Sequence, residues 1–514
     1  MAIPNEFGGV EALIKRFKSA KTKYNLWRSL HQEAFDYAAP SRENFRAHSP
    51  GQRKNRHIFD STAVNGLQQF ANRIQAAIVP SWQQWIEYAP GDEIPEEEKD
   101  SIEKLLEEST KAFFSHINHS NFSTEITPAL VDLGVGTGAI MVEEGEFTDS
   151  DILRFTNVPL SELYPETPVK GIIESTWRQQ KIEVGQIKRL WPEAELTSEL
   201  AKMAETKPQE EIDILNGMLF NPKQRNYHQI IIHEKTKTVL FDQAFNSKRL
   251  IPFRWHVQPG ETFGRGPIMQ VLPDIRTVNK VKQFMLENAA IQISGMYTGV
   301  DDGVFNPHTA RVAPGIILPV ASNQTNNPSL AALPRAGDIG LGAMNIEYLQ
   351  LNINKALFSD PLGEVTDPVR SATETMIRQQ ENLKQSGASF GRLFSELVEP
   401  LVEAVTDILS SRGKLPQIRV DGREVSIKQV SPLAKSQSLD DFQNSQVWFS
   451  TVAQLPPEVV AASVKVEELP KYWQEKLGVP AALVRTEQER EEAANTIQQA
   501  SLASIEGGEG EQAI

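Results

Sequence analysis

The chain contains no cysteine, which excludes a disulfide frame and any thiolate metal site. No apolar run approaches the roughly 20 residues that a membrane-spanning helix needs. No GxxxxGK[ST] occurs, so the phosphate cradle of a P-loop motor is not encoded. No G-x-S-x-G elbow places a serine nucleophile, and His233-Glu234 lacks the second histidine of HExxH. The opening segment, MAIPNEFGGVEALIKRF, lacks the apolar core of a signal peptide. The expectation is a soluble protein that matures inside a cell and sits in no membrane.

What is present is ordinary globular material. The 514 residues are 40% hydrophobic with 31 Gly and 31 Pro, enough for two to four packed units rather than a disordered or fibrous chain. Net charge is −15, and it is unevenly spread. Residues 1–59 hold eleven Lys/Arg against five Asp/Glu, so they carry +6, which leaves −21 for the rest. The end of the chain, 485–514, has seven Glu against two Arg and reads as a solvated tail. So acidic a surface argues against broad, tight nucleic-acid binding, which relies on Lys/Arg and counterion release. It does not exclude DNA passing by.

One stretch imitates an enzyme. DLGVGTGAIMV, from Asp132 through Gly134 and Gly136 to Gly138 and beyond, looks like the glycine loop of a methyltransferase. Such a loop follows a strand and opens a helix. Here Phe122, Ile126, Ala129 and Leu133 before it recur at helical spacing, and AIMVEEGEF after it alternates like a strand. The order is reversed. A helix C-cap and a tight turn into a sheet are expected instead, with methyl-donor binding kept as the remote alternative.

The remaining pattern reads as α+β. Helices are expected over 11–37, 61–79 (capped by Asp60 or Ser61) and 94–117, then mostly antiparallel strands over 139–260 with one helical insertion at 184–218. A long helix over 267–293 contains Pro273, and Pro267 suits its first turn. Residues 295–345 are rich in Gly, Pro and Asn, as a small β-containing insert would be. A helix resumes at 344–358. Ser371 and Glu374 form a capping box that opens another helix to about 412, kinked at Pro400. Candidate chemistry is thin. His116 and His119 have no third ligand nearby, Glu143-Glu144 and Asp301-Asp302 suit edge and turn solvation, and the glycines of GETFGRGP suit turns. The expectation is a structural or assembly protein with no catalytic, cofactor or metal residues.

Taken in order, FDSTAVNGLQQFANRIQAAIVPSWQQW, SNFSTEITPALVDLGVGTGAIMVEE, RWHVQPGETFGRGPIMQVLPDIRTVNK and DPVRSATETMIRQQE resemble the portal, or head-to-tail connecting, proteins of short-tailed (podovirus-type) bacteriophages. The likeness runs over about 10–415 and fades in the last hundred residues. It implies a ring of typically twelve identical subunits at one capsid vertex of the virion, assembled in the host cytoplasm. Double-stranded DNA would be packaged and ejected through the ring. The implied partners are a separate packaging ATPase (terminase), the major capsid and scaffolding proteins and a tail adaptor. The implied portal fold is a wing (1–260), a stem helix (261–294), a clip (295–343), a second stem helix (344–358), a channel or tunnel loop (359–370), a wing-to-crown helix (371–412), a crown (413–485) and an acidic tail (486–514). Glu364, Thr366, Asp367 and Arg370 are expected to approach DNA. The basic stretch with Arg42, Arg46, Arg53, Lys54 and Arg56 is expected to dock on an acidic neighbour. A capsid or tail adaptor protein remains the main alternative.

Overall fold

Antiparallel pairing dominates because most strands are short and follow one another through tight turns. The computed structural model describes residues 7–42, 54–91, 96–145, 152–294, 297–299, 323–324, 327–328, 330–332, 339–359, 387–416, 425–430, 432–454, 456, 459, 463–465 and 468–477. The chain divides into two units. One comprises 1–28, 70–266 and 365–514, and the other 29–69 and 267–364. Helices and strands are mixed throughout the described chain, an α+β composition. Helix α1 (Gly9–Ala38) and helix α2 (Thr62–Ile78) match the expected periodicity.

In the first unit, strand β1 (Ile86–Pro90), helix α3 (Glu96–His119), helix α4 (Phe122–Val135) and strand β2 (Thr137–Glu144) come first. Strand β2 is central in a three-stranded sheet, flanked by β3 (Leu153–Asn157) and by β9 (Leu250–Arg254). Its residues from Thr137 to Val142 are all buried, so the strand expected from AIMVEEGEF is present, but its Ala139–Val142 stretch is covered on both faces and does not alternate as expected. Trp85, Phe113, Phe114, Phe122 and Phe155 form an aromatic cluster beside it, edge-on except for the tilted Trp85–Phe122 pair. Each such pair adds about 0.5–1.5 kcal/mol beyond its burial.

The second sheet is a five-stranded meander of β4 (Leu163–Pro165), β5 (Thr176–Glu183), β6 (Glu211–Asn221), β7 (Asn226–His233) and β8 (Thr238–Phe245). Two short helices lie between β5 and β6, α5 (Ile187–Leu190) and α6 (Ser198–Thr206), with Thr197 capping the latter. The expected helical insertion at 184–218 is therefore too long. Residues 211–218 belong to β6, where Ile212 and Ile214 pack against Ile231, Trp191 and Leu200. Burial in the sheet overrides the helical look of that run. Phe17 of α1 packs edge-on against Tyr164 and Trp177 of this sheet. Gly217 is required opposite, since a Cβ there would sit 2.6 Å from the Trp177 ring.

The second unit contains helix α7 (Pro267–Ser294) and helix α8 (Ile339–Ala356), which pack on each other. Helix α8 starts five residues ahead of the expected 344. Between them, β10 (Tyr297–Gly299) pairs with β13 (Leu330–Ala332), and β11 (Asn323–Gln324) with β12 (Asn327–Pro328).

The first unit resumes with helix α9 (Gly387–Leu393), a wide turn over Phe394–Val398 and helix α10 (Glu399–Ser411). Strand β14 (Val425–Gln429) pairs with β1, and helix α11 (Pro432–Val452) and helix α12 (Leu469–Leu477) close the described chain. The capping box at Ser371 and Glu374 lies outside the described residues. Among the described residues, no helix is long and apolar enough to cross a membrane.

Candidate functional site

The glycines that imitate a cofactor loop are a packing seam. Helix α4 ends at Val135, and the backbone enters β2 at Thr137, so the helix-glycine-strand order holds. The turn itself is only Gly136, since Gly134 is still helical and Gly138 is already in the strand. None of the three needs a left-handed φ. What each needs is room. A Cβ on Gly136 would lie 2.1 Å from the Gly264 carbonyl oxygen, and one on Gly266 would lie 2.2 Å from that of Gly134. Hydrogen bonds close the seam: Gly266 N–H donates to Val135 O at 2.8 Å, and Gly264 N–H to Thr137 Oγ1 at 2.9 Å. The second glycine motif, GETFGRGP, thus fills the space a methyl donor would need at the first. Only Gly260 in it serves a turn through positive φ, +84°.

Beside this seam lies a buried ionic clasp. Arg254, at the end of β9, is fully buried. Its Nη2 donates to Glu396 Oε1 at 2.6 Å and its Nε to Glu396 Oε2 at 3.1 Å, a bidentate pair. The Arg254 backbone N–H adds a third bond to Glu396 Oε2 at 2.9 Å, and Nη2 also donates to the Gly171 carbonyl at 2.7 Å. Five residues earlier, Arg249 Nη2 donates to Asp407 Oδ2 at 3.1 Å, with Ser247 Oγ on the same oxygen at 2.8 Å. Lys248 between them is buried and donates to the Ile173 carbonyl. Burial pushes its pKa down to about 7, with Glu396 opposing and Arg254 reinforcing the shift. Burial likewise lowers Arg249, against the pull of Asp407. The run SKRLIPFR (247–254) therefore carries the cations that fix helix α10 and the turn before it. Tyr88 Oη adds a bond to Thr406 Oγ1 at 2.6 Å.

The second unit has its own polar centre at Asp60. Its Oδ1 accepts from the Thr62 N–H at 2.9 Å, which caps α2. Its Oδ2 accepts from Lys282 Nζ at 2.6 Å and Gln350 Nε2 at 2.7 Å, so one carboxylate ties together α2, α7 and α8. Burial alone would raise its pKa, but the bonds from Lys282, Thr62 and Gln350 hold it below the usual carboxylate value. Asn279 repeats the pattern, accepting from Phe59 N–H at 2.7 Å and donating to His57 O at 2.9 Å.

The residues expected from sequence to approach DNA, Glu364, Thr366, Asp367 and Arg370, lie outside the described residues, as do Arg46 and Arg53. Lys54 Nζ donates to the Arg42 carbonyl at 3.3 Å, and Arg56 is exposed. His116 and His119 lie in the last turn of α3. Among the described residues no group of three or more His, Asp or Glu is placed to hold a metal. Asp60 was expected as a cap of α2, but its bonds to Lys282 and Gln350 and the Arg254–Glu396 pair were not anticipated. One available signal was an arginine inside the apolar run LIPFRW, since a charge there must be paired.

The polar groups of both centres join elements of the chain to one another. A family model described as bacteriophage head to tail connecting protein matches residues 10–484, and the chain belongs to that family. It is similar to the probable portal protein of Bordetella phage BPP-1, 21% identical over 477 residues, covering 87% of this chain and 84% of that protein. It is also 21% identical over 533 aligned residues to the portal protein of Salmonella phage epsilon15, covering 96% of this chain and 93% of that one.

Proposed function

We propose that this chain is the subunit of a phage portal. Identical copies, twelve in this reading, close into a ring at one capsid vertex, through which double-stranded DNA is packaged and later ejected. The observation that carries it is the family match across residues 10–484, supported by two portal relatives aligned over nearly their whole lengths. The order helix, Gly/Pro-rich insert, helix at 267–356 supports a stem and clip in that reading. The wing is then 1–260, the crown 413–485, and the loop 359–370 the part that reaches DNA through Glu364, Thr366, Asp367 and Arg370. The role is structural rather than enzymatic, with packaging energy supplied by a separate terminase. Capsid, scaffolding and tail adaptor proteins are the other partners, and Arg42, Arg46, Arg53, Lys54 and Arg56 offer one of them, or a neighbouring subunit, a basic face.

The acidic balance suits the task. A polyanion must slide in both directions, and strong Lys/Arg contacts along its path would act as traps. Native mass spectrometry with negative-stain imaging tests the reading. At 57.4 kDa per chain, twelve copies in a closed heterologous ring weigh about 690 kDa. Rings of that mass with a central hole are expected. A chain that stays monomeric even with its scaffold present would overturn it.

A further inference from the structure

The helical segment from Gly387 to Ser411 is not in one register. At its middle the Glu399 N–H donates to the Phe394 carbonyl, a span of five residues instead of four, so the turn over Phe394–Val398 holds one extra residue. The sequence supplies the cause. Pro400 has no N–H to give the Glu396 carbonyl, and in a regular helix its ring would collide with that carbonyl. The wide turn removes the conflict. It also carries Glu396, whose carboxylate receives three bonds from Arg254. Two fastenings of independent origin therefore hold the same turn.

The two sides of the turn are secured differently. Downstream, α10 is bound through Thr406 to Tyr88, through Asp407 to Ser247 and Arg249, and its apolar face from Leu401 to Leu409 is buried. Upstream, α9 has Leu393 buried and Phe390 against Trp255, and its described side chains are joined by the Arg392–Glu396 contact at 3.8 Å, back onto the turn itself.

We infer that the Phe394–Val398 turn is a latched joint, with Arg254 as the latch. Releasing Arg254 lets 387–399 open or change register while α10 stays seated. A change to regular helix would rotate the chain upstream of the turn by about 100° and shift it by about 1.5 Å. The latch reaches the surface: the Gly171 carbonyl that Arg254 also holds belongs to a two-residue hairpin turn between exposed Val169 and Ile172. Residues 360–386 precede the joint in the sequence, and any effect on the proposed channel loop rests on the portal reading. The joint itself does not.

Hydrogen exchange by mass spectrometry on the full chain tests it. Arg254→Met is expected to speed exchange over 387–399 at least tenfold and leave 401–411 unchanged. Equal acceleration in both stretches, or none, overturns the joint. Arg254→Met combined with Pro400→Ala removes both fastenings and is expected to return 394–400 toward wild-type protection as regular helix. A double variant that exchanges as fast as the single one overturns the proposal, since an ion pair that merely adds stability gives no such rescue. If Arg254→Met does not fold, Glu396→Gln, which keeps acceptor and shape but not charge, is read by the same localisation. Failure to form rings would sink the portal reading and leave these outcomes intact.

Discussion

The two polar centres do the same mechanical job with opposite margins. In the first unit Arg254 is completely buried and Glu396 has 14% of its side chain exposed. In the second, Asp60 is 5% exposed, but its partner Lys282 is 38% exposed. A cation with no access to water depends on its carboxylate for nearly all of its solvation. A cation at the surface can exchange its partner for water at small cost. The first centre therefore fixes one geometry, whereas the second tolerates readjustment around a helix cap. The chemistry is similar, and the solvent makes the difference.

The sharpest way to break this contrast is to remove the acid from each centre. Glu396→Ala should destabilise the first unit by about 3–5 kcal/mol, because Arg254 is left charged in an apolar site. Asp60→Ala should cost about 1–2 kcal/mol, the value of a lost cap, because Lys282 is free to solvate. Denaturant unfolding followed by exchange at peptides of each unit reads both. Equal losses would show that burial of the cation is not what separates the centres. A further sharpening is Glu396→Ala combined with Arg254→Met, which should recover much of the loss by replacing the stranded charge with an apolar side chain.

How much of this was legible in the sequence follows from the range of each interaction. Helices α1, α2, α4 and α7 were readable because their apolar spacing and their Pro and Asp caps are local signals. The reversed order around Gly136 was readable for the same reason. That Gly136 faces Gly264 was not, because the two backbones meet across 128 positions and a glycine looks alike in a turn or a seam. The 211–218 run misled because Ile212, Leu215 and Met218 recur at helical spacing, whereas Ile212 and Ile214 share one face of a strand, and only the partner strand decides. Pro400 announced a kink, but its form depends on Arg254 and Glu396, 142 residues apart. The clasp is chemistry between distant residues, and one chain carries no record of such pairing.

The remaining expectation concerns pH dependence at Lys248, which shares the buried first centre and, among the described residues, has no carboxylate at hydrogen-bond distance. Burial pushes its pKa in the folded chain down to about 7, below the ordinary lysine value of 10.5. Between those values the unfolded chain binds a proton that the folded chain does not, so Lys248 makes stability rise with pH from about 7 to 10. Below 7 both forms are protonated, and its contribution stops changing. Lys248→Met should flatten that slope, keep the stem of the side chain in its apolar slot, and raise stability at pH 7. Unfolding midpoints from pH 6 to 10 for both proteins measure it. The same slope in both would mean that Lys248 keeps its charge when folded, solvated by the carbonyl of Ile173 and the field of Glu396. The margin that separates the two centres would then reside in Arg254 alone.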